Sequence, residues 1–529
     1  MIFLNYTLLF SLILGAVSGM FSLVRQFQML QQNSYFASRY FNWVTNSFAV
    51  TLAVISILYC ASSLLYSGLL YTALLALIAV MLIARIIIAV KTHKKSIKKL
   101  VFTSRVKRLF AAAVLVQAVF IVLYCVNPDR FSGEVFARLS LLLSFITPLF
   151  ALVCSILTLP VEKASAMWYI NDAKRILREY GSLKIIGITG SYGKTTTKFI
   201  LKRILSEKYN VTATPQSFNT PMGVVRTVRN DLKHGTEVFI CEMGAKKTGD
   251  IKEICDIVNP DYGIITYVGE QHLDTFKTVD NVFKTKFELA DAVEKNGGKI
   301  LVNGDSGEIA ARIGDRECSV YRVGSSAEFY AENIVYGRNG SVFDLVLKGE
   351  RISVTTKLLG LHSVSDIVGA AALAFMLGVE PRDIKYAVGT LKATEHRLEL
   401  KSGGPNGALI IDDAYNANPV GCLEAVRVLG SFDGMKKIIV TPGLIELGER
   451  EYECNYNLGL EAAKYCDIIV LVGKNRSKPM LSAVQESGFN RDNVYVVSSF
   501  REAMEVCAPL SDKDTVILLE NDLPDNYLN

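Results

Sequence analysis

The segment IIGITGSYGKTTT holds the densest chemistry in the 529-residue chain. An apolar run carries Gly187, turns through Gly190, Ser191 and Gly193, and enters a helix-like stretch at Lys194. Backbone N–H groups in such a turn, with the N-terminus of the helix behind them, form an anion site. Lys194 can reach terminal phosphates from there, and Thr195, with Thr196 beside it, brings a hydroxyl suited to Mg2+. This is a nucleotide-phosphate loop in a register of its own, because Ile188 stands where G-x-x-x-x-G-K-[ST] has its first glycine.

Other polar groups stand at the ends of apolar runs. Glu242 closes EVFICE, and the carboxyl ends of parallel strands are where open sheets place ligands, so a carboxylate there suits a Mg2+ that bridges phosphates. His272 follows YGIITYV; a lone loop histidine is ordinarily solvated, and a neutral imidazole there could also hold a metal. Asn303 and Asp305 end KILVN, where an Asn-Gly-Asp turn is the plain alternative to a ligand contact. Arg397 precedes a further strand, ALIIDDAY, after which come Asp412, Tyr415, Asn416 and Asn418.

These residues need a scaffold of alternating strands and helices. LKIIGIT, EVFICEM, YGIITYV and KILVN read as buried parallel strands, separated by helical stretches such as KTTTKFILKRILSEK and VFKTKFELADAVEK. Between about 319 and 357 the pattern becomes short alternating strands with an Asn339-Gly340 turn, which predicts an antiparallel hairpin. A second series begins near Arg397 with ALIIDDAY, KKIIVTPG, DIIVLVG, NVYVVS and TVILLE, an open α/β sheet of dinucleotide-fold type. It has no G-x-G-x-x-G after a strand, which disfavours a nicotinamide-dependent oxidoreductase.

The first 160 residues differ in kind. They hold 13 Lys or Arg against Asp129 and Glu134, a net +11, whereas the remainder nets −5 and gives no reason to propose nucleic acid. Five apolar stretches of membrane-spanning length fall near 2–24, 46–64, 67–90, 109–126 and 139–160. A cleaved leader does not explain them, since the first has no basic start or small-residue cleavage site and four more follow. The loop from Lys91 to Arg108 carries eight basic residues, which places it, the loop around Arg25 and Arg39, and everything after the fifth span on the cytosolic side. Arg85 reads as a side chain snorkelling from the third span. After Pro160, VEKASAMWYINDAKRIL reads as an amphipathic connector. The ten cysteines include no C-x-x-C pair and read as reduced thiols without structural zinc.

TGSYGKTT is the loop form of the Mur ligases, and from here the chain resembles that family, most closely its D-alanyl-D-alanine-adding branch. Further matches follow in order: SFNTPMGV with Asn219 and Thr220, CEMGA with Glu242, GEQHLDTF with His272, TKFEL with Lys286, LVNGD with Asn303 and Asp305, HRLE with Arg397, and IIDDAYNANP. They cover about residues 180 to 450. After the helical membrane domain (1–160) read from the apolar stretches, the resemblance implies a P-loop ATP-binding central domain (161–395) and a Rossmann-like C-terminal domain (396–529). It implies an ATP-dependent peptide ligase of cell-wall precursor synthesis, which the apolar stretches and their loop charges make multi-pass in the membrane with cytoplasmic catalytic domains. The reaction it implies joins a carboxylate acceptor to an amino-acid or dipeptide amine through an acyl phosphate.

Residue by residue, the resemblance makes Lys194, His272, Lys286 and Arg397 catalytic. Gly190, Ser191, Gly193, Lys194, Thr195, Thr196, Asn303, Asp305, Asp366, Arg397, Asp412 and Tyr415 become ATP contacts. Thr195, Glu242, His272 and a carbamylated Lys286 become ligands of two Mg2+ ions, with Glu288 completing the Lys-x-Glu pattern and Lys284 an ordinary surface lysine. Asn219, Thr220, Asn416 and Asn418 become substrate contacts. Three departures bear on the acceptor: a membrane segment stands in place of the UDP-sugar domain, His362-Ser363-Val364-Ser365-Asp366 replaces His-Asn-x-x-Asn, and ENDLPDNYLN replaces a Lys-Gly-Ser-Arg ending. They suggest that the membrane domain presents a lipid-linked acid or docks on cell-wall synthesis proteins. The alternative is a membrane-bound ligase for another acid and amine, such as a poly-γ-glutamate synthase. A P-loop transporter is disfavoured because EVFICEM runs on into Glu-Met-Gly-Ala, and a silent ATP-binding scaffold because Lys194, Glu242, His272 and Lys286 are all present.

Overall fold

A computed structural model describes residues 6–33, 35–37, 39–45, 69–95, 99–126, 130–269, 273–324, 326–337, 339–393, 395–414, 419–445 and 447–521. The chain divides into two compact units, Met1–Trp168 and Tyr169–Asn529.

The first unit is helical: α1 (Tyr6–Gln32), α2 (Leu69–Lys95), α3 (Ser104–Val126), α4 (Arg130–Phe145) and α5 (Thr147–Glu179), the last running on into the second unit. Among the described residues three segments are long and apolar enough to cross a membrane, Leu12–Gln32, Ser104–Val126 and Thr147–Glu179, where five spans were expected. The stretch 46–64 lies outside the described residues. That at 67–90 falls on α2, whose first charged residue is Arg85. The expected span at 139–160 is divided at Ile146, because Pro148 lacks an N–H and its ring bars the preceding helix, yet fits the first turn of a new one. Pro160, by contrast, lies inside α5 and ends nothing. Leu23, Phe27, Leu30, Tyr40, Val106, Leu109 and Phe150 form this unit's main core. Arg85 donates to the Ser144 carbonyl (2.9 Å) and to the Ser22 hydroxyl (3.2 Å).

The second unit holds two sheets. The first contains β1 (Lys184–Thr189), β2 (Val211–Ala213), β3 (Val238–Glu242), β4 (Tyr262–Ile265), β5 (Lys299–Asn303), β6 (Ser319–Val323), β7 (Phe329–Gly337), β8 (Gly340–Leu347) and β9 (Glu350–Thr356), in spatial order β2-β3-β1-β4-β5-β6-β7-β8-β9. Pairing is parallel as far as β7 and antiparallel through β8 and β9. The change of pattern after residue 319 marks this switch, and Gly340, at φ +103°, opens β8 as the Asn-Gly turn requires.

Both faces of the parallel part are covered, which is why its strands are apolar without alternation. On one face Ile186 and Ile188 pack with Ile200, Leu201 and Ile204 of α6 (Lys194–Leu205) and with Val364, Ile367 and Val368 of the helix Gly360–Met376. On the other, Phe239, Cys241 and Ile265 pack with Ile254 of α7 (Asp250–Val258) and with Val282 and Leu289 of α8 (Val279–Lys295). Each large aliphatic side chain buried this way stabilises the fold by about 1.5–3 kcal/mol before entropy is counted.

The second sheet orders β10 (Glu399–Lys401), β11 (Leu409–Asp413), β12 (Lys436–Thr441), β13 (Ile468–Val472), β14 (Val494–Val497) and β15 (Thr515–Glu520) as β10-β11-β15-β12-β13-β14, parallel except for β10. It is the open α/β sheet expected from the second alternating series.

Candidate active site

The turn between β1 and α6 is held open by its own geometry. Gly190 and Gly193 have φ of +151° and +79°; a Cβ at the first would run into Thr266 and at the second into the Asp366 carboxylate. Ser191 N donates to the Tyr267 carbonyl (2.6 Å) and its hydroxyl to the Gly269 carbonyl (2.9 Å), while Tyr192 and Tyr267 stack at 5.7 Å. Gly193 caps α6 without a side-chain bond, so the first helical N–H groups remain available to an anion. Lys194 Nζ lies over the loop and donates to the carbonyls of Gly190 (2.7 Å) and Ser191 (3.0 Å). Burial lowers its pKa to about 8, with Arg397 adding to the effect and Glu242 and Asp366 opposing it.

Glu242 ends β3 directly beside β1, paired with Ile188. Its Oε1 accepts from the Thr195 hydroxyl (3.0 Å) and from Asn219 Nδ2 (2.9 Å). Its Oε2 accepts from Lys198 Nζ at 2.9 Å, an ion pair with both side chains buried. Lys198 escaped the sequence reading. The available signal was its place four residues after Lys194, on the same face of α6 and one turn farther from the loop. Burial lowers the Lys198 pKa, against the pull of Glu242.

The donor set at Thr195 and Glu242 suits magnesium. Mg2+ uses one or two carboxylates with phosphate oxygens and retained waters, whereas calcium and zinc demand denser protein cages. Among the described residues there is no group of three or more His, Cys, Asp or Glu close enough to make such a cage. His272 lies outside the described residues.

Lys286 sits on α8 with 1 % of its surface exposed, and burial, reinforced by Lys194, holds its pKa well below the ordinary lysine value. Lys284 is exposed and pairs with Asp280 at 2.7 Å. Glu288 points elsewhere: its carboxylate accepts the backbone N–H groups of Gly249 (2.7 Å) and Lys252 (2.8 Å), capping α7.

A cavity of about 730 Å3 opens between the two sheet domains. Gly193, Thr196, Asn303, Asp305, Asp366 and Arg397 contribute to its wall, so six of the sequence-derived residues meet there. Asn303 is fixed by a bond to the Ser365 hydroxyl (3.1 Å), and Asp305 by the Val323 N–H (2.7 Å). The altered stretch at 362–366 still faces the cavity through His362, Ser363, Ser365 and Asp366. Burial lifts the Asp366 pKa to about 7, although Thr197 donates to its carboxylate at 2.9 Å.

The two aspartates that end β11 separate, as alternation along a strand requires. Asp412 turns away from the cavity to bond His396 Nδ1 (2.8 Å) and Lys401 Nζ (2.6 Å), and these bonds outweigh burial and lower its pKa. Asp413 lines the cavity with Glu520 and Cys422, residues the sequence reading did not select. Burial raises Asp413 to about 6; burial and then Asp413 raise Glu520 well above the carboxylate range, and Cys422 Sγ donates to Glu520 at 2.7 Å. Thr220 caps the helix Pro221–Asn230 through the Gly223 N–H (3.3 Å). Tyr415, Asn416 and Asn418 lie outside the described residues.

This arrangement matches known proteins over its two α/β domains. Residues 188–374 match the Mur ligase middle domain and residues 396–520 the Mur ligase glutamate ligase domain. A UDP-N-acetylmuramoyl-tripeptide--D-alanyl-D-alanine ligase of Bacillus subtilis is 30 % identical over 53 % of this chain and 60 % of its own length. The Escherichia coli protein of the same name is 30 % identical over 56 % and 66 %. The chain therefore spans less than two thirds of the length of these relatives. The crystal structure of MurF from Acinetobacter baumannii superimposes with a TM-score of 0.60 at 25 % identity, covering 67 % of this chain and 77 % of that one. The chain belongs to the Mur ligase family, of which it carries the middle domain followed by the C-terminal domain.

Proposed function

We propose that the chain is an ATP-dependent amide ligase of cell-wall precursor synthesis, acting on an acid and an amine like those in its relatives' name: a UDP-linked muramoyl tripeptide and D-alanyl-D-alanine. The observation that carries the reading is the meeting of Thr195 and Glu242 at 3.0 Å beside an uncapped helix N-terminus, where Gly193 and Thr196 line a cavity walled by both domains.

The chain's residues divide the work. Asn303, Asp305 and the start of the helix at Gly360 hold the nucleoside end in the cavity. The loop N–H groups and Lys194 bind the phosphates, Lys194 exchanging its carbonyl partners for phosphate oxygens. Thr195 and Glu242, with His272 and a carbamylated Lys286, would hold two Mg2+ ions, which supply charge neutralisation on the phosphates and the acyl group. The acceptor carboxylate attacks the γ-phosphate, ADP leaves, and the amine displaces phosphate from the acyl phosphate. Lys194 and Arg397 offset the charge that develops in these steps, so catalysis is chiefly positioning and electrostatics. Asp412 acts on this site indirectly, by fixing His396, the chain neighbour of Arg397.

The apolar helices of the first unit anchor the enzyme in a bilayer as a multi-pass protein, with five spans and the catalytic domains on the cytosolic side. They favour a second reading for the acid alone, an acceptor carried on a lipid or delivered by other cell-wall synthesis proteins.

The test is ADP and phosphate release by the detergent-solubilised chain given UDP-linked tripeptide with D-alanyl-D-alanine. Turnover that requires both, with amide product, is the expected result. Activity only on lipid-linked acids moves the acceptor to the second reading, and ATP turnover with neither acid overturns the ligase.

A further inference from the structure

Lys198 is among the largest fully buried side chains of the chain, and it lies outside every role assigned above. It stands where three pieces of the site converge. Nζ donates to Glu242 Oε2 at 2.9 Å and also to the carbonyl of Gln216. Gln216 has φ +44°, a left-handed backbone that a side-chain-bearing residue keeps only when its surroundings hold it. Three residues on, Asn219 returns to the other oxygen of the same carboxylate, Oε1, at 2.9 Å, and its carbonyl accepts the Gly244 N–H at 2.8 Å. A Cβ on Gly244 would meet the Asn219 amide, so the segment bearing Asn219 is packed against the end of β3. The phosphate-loop helix, the candidate metal carboxylate and the 214–220 segment are thus one hydrogen-bonded body, and Lys198 is the cation at its centre.

A carboxylate taken out of water needs a compensating charge before any metal arrives. Lys198 meets that need at Oε2, while Thr195 and Asn219 reach Oε1. It also fixes where the Gln216 carbonyl, and hence Asn219, sits. We propose that Lys198 is a positioning residue that couples the two halves of the site. It holds the Glu242 carboxylate in place beside Thr195, where the cation would sit, and through Gln216 it sets the segment carrying Asn219, so that nucleotide and cation order the acceptor side. The proposal rests on the reading of this site as one for ATP and Mg2+.

The test uses the full chain in detergent, a fluorescent ATP analogue, Mg2+ titrations, and hydrogen exchange over residues 215–220. In the wild type, analogue with Mg2+ slows exchange in that segment. Lys198→Met should still bind the analogue in EDTA, with the Mg2+ midpoint raised about 10–100-fold, the usual cost of losing a partner behind a metal ligand. Its 215–220 segment should exchange fast with or without Mg2+. Lys198→Gln, which loses the charge and keeps a donor for Gln216, should raise the Mg2+ midpoint and retain the protection, and it serves if the methionine variant does not fold. A residue that only filled space would change stability and leave both readouts alone. Either variant with a wild-type Mg2+ midpoint overturns the proposal. A wild-type chain that binds no nucleotide overturns the site itself.

Discussion

The Asp366 carboxylate accepts the Thr197 hydroxyl at 2.9 Å, joining the helix Gly360–Met376 to the phosphate-loop helix beneath the cavity. Burial places its pKa near 7, above the ordinary carboxylate value. Between about pH 4 and 7 the folded chain then holds a proton that the unfolded chain releases, so this residue's contribution to stability is present at low pH and lost as pH rises through 7. Asp366→Asn keeps an acceptor for Thr197 and removes the ionisation. Without nucleotide, the variant should exceed wild type in unfolding free energy above pH 7, by up to about 4 kcal/mol, and converge with it near pH 4. Denaturant melts at pH 4.5 and 8 check this. A gap of the same size at both values would mean that Asp366 does not titrate there.

Gly193 carries a prediction of its own. Its φ of +79° disfavours any side chain, and a Cβ would collide with the carboxylate of Asp366. Gly193→Ala should therefore displace the loop at a cost of about 1–3 kcal/mol, which in binding terms is roughly 5- to 150-fold in nucleotide affinity. Lys194→Ala, which leaves the backbone cradle intact, should lower kcat by about 100- to 1,000-fold, as loss of a donor to developing charge does. Equilibrium titration with nucleotide and turnover measurements on both variants separate shape from charge.

Much of this site is legible in the sequence because it depends on local pattern. An apolar strand followed by glycines and Gly-Lys-Thr predicts the phosphate loop, and the end of EVFICE predicts that Glu242 will stand beside it. What escapes is set by tertiary packing. Spacing from Lys194 puts Lys198 on the loop face of α6, but its burial against Glu242 is decided only when α6 is docked on the sheet. Asp412 and Asp413 look equivalent in a strand-end motif, yet alternation sends one to His396 and Lys401 and the other into the cavity. Glu520 becomes notable only when β15 inserts between β11 and β12 and brings it level with Asp413. The difference between five expected spans and three found lies at 46–64, outside the described residues, and at 67–90, which is not among the three; Pro148 only moves the start of the fifth span to Thr147.

Glu288 offers a contrast between a motif position and its structural use. It stands two residues after Lys286 but spends both oxygens on the N-terminus of α7, at Gly249 and Lys252. Capping by a carboxylate contributes about 0.5–2 kcal/mol, so Glu288→Ala should lower stability by that amount and leave the affinity for nucleotide unchanged. Thermal melts alongside nucleotide titration decide it, and a loss of nucleotide affinity without a loss of stability would return Glu288 to the site.

Lys286 and Lys284 make the sharpest pair. Both lie on α8; Lys284 is solvated and paired with Asp280, whereas Lys286 is buried with its pKa held well below normal. A neutral amine is the form that reacts with CO2, its nitrogen forming the new C–N bond and releasing one proton, and the carbamate that results is an anion. Lys194, whose charge disfavours an ammonium at Lys286, would favour that anion. Turnover should therefore fall in CO2-depleted buffer and return on adding bicarbonate, at neutral pH and without alkali. Lys286→Ala should lose about 100-fold or more and gain nothing from bicarbonate, because charge aimed at a reacting phosphoryl group is worth that much. Lys284→Ala should match wild type in both buffers. Turnover indifferent to CO2, with Lys286→Ala still impaired, would leave Lys286 a required amine and remove the carbamate.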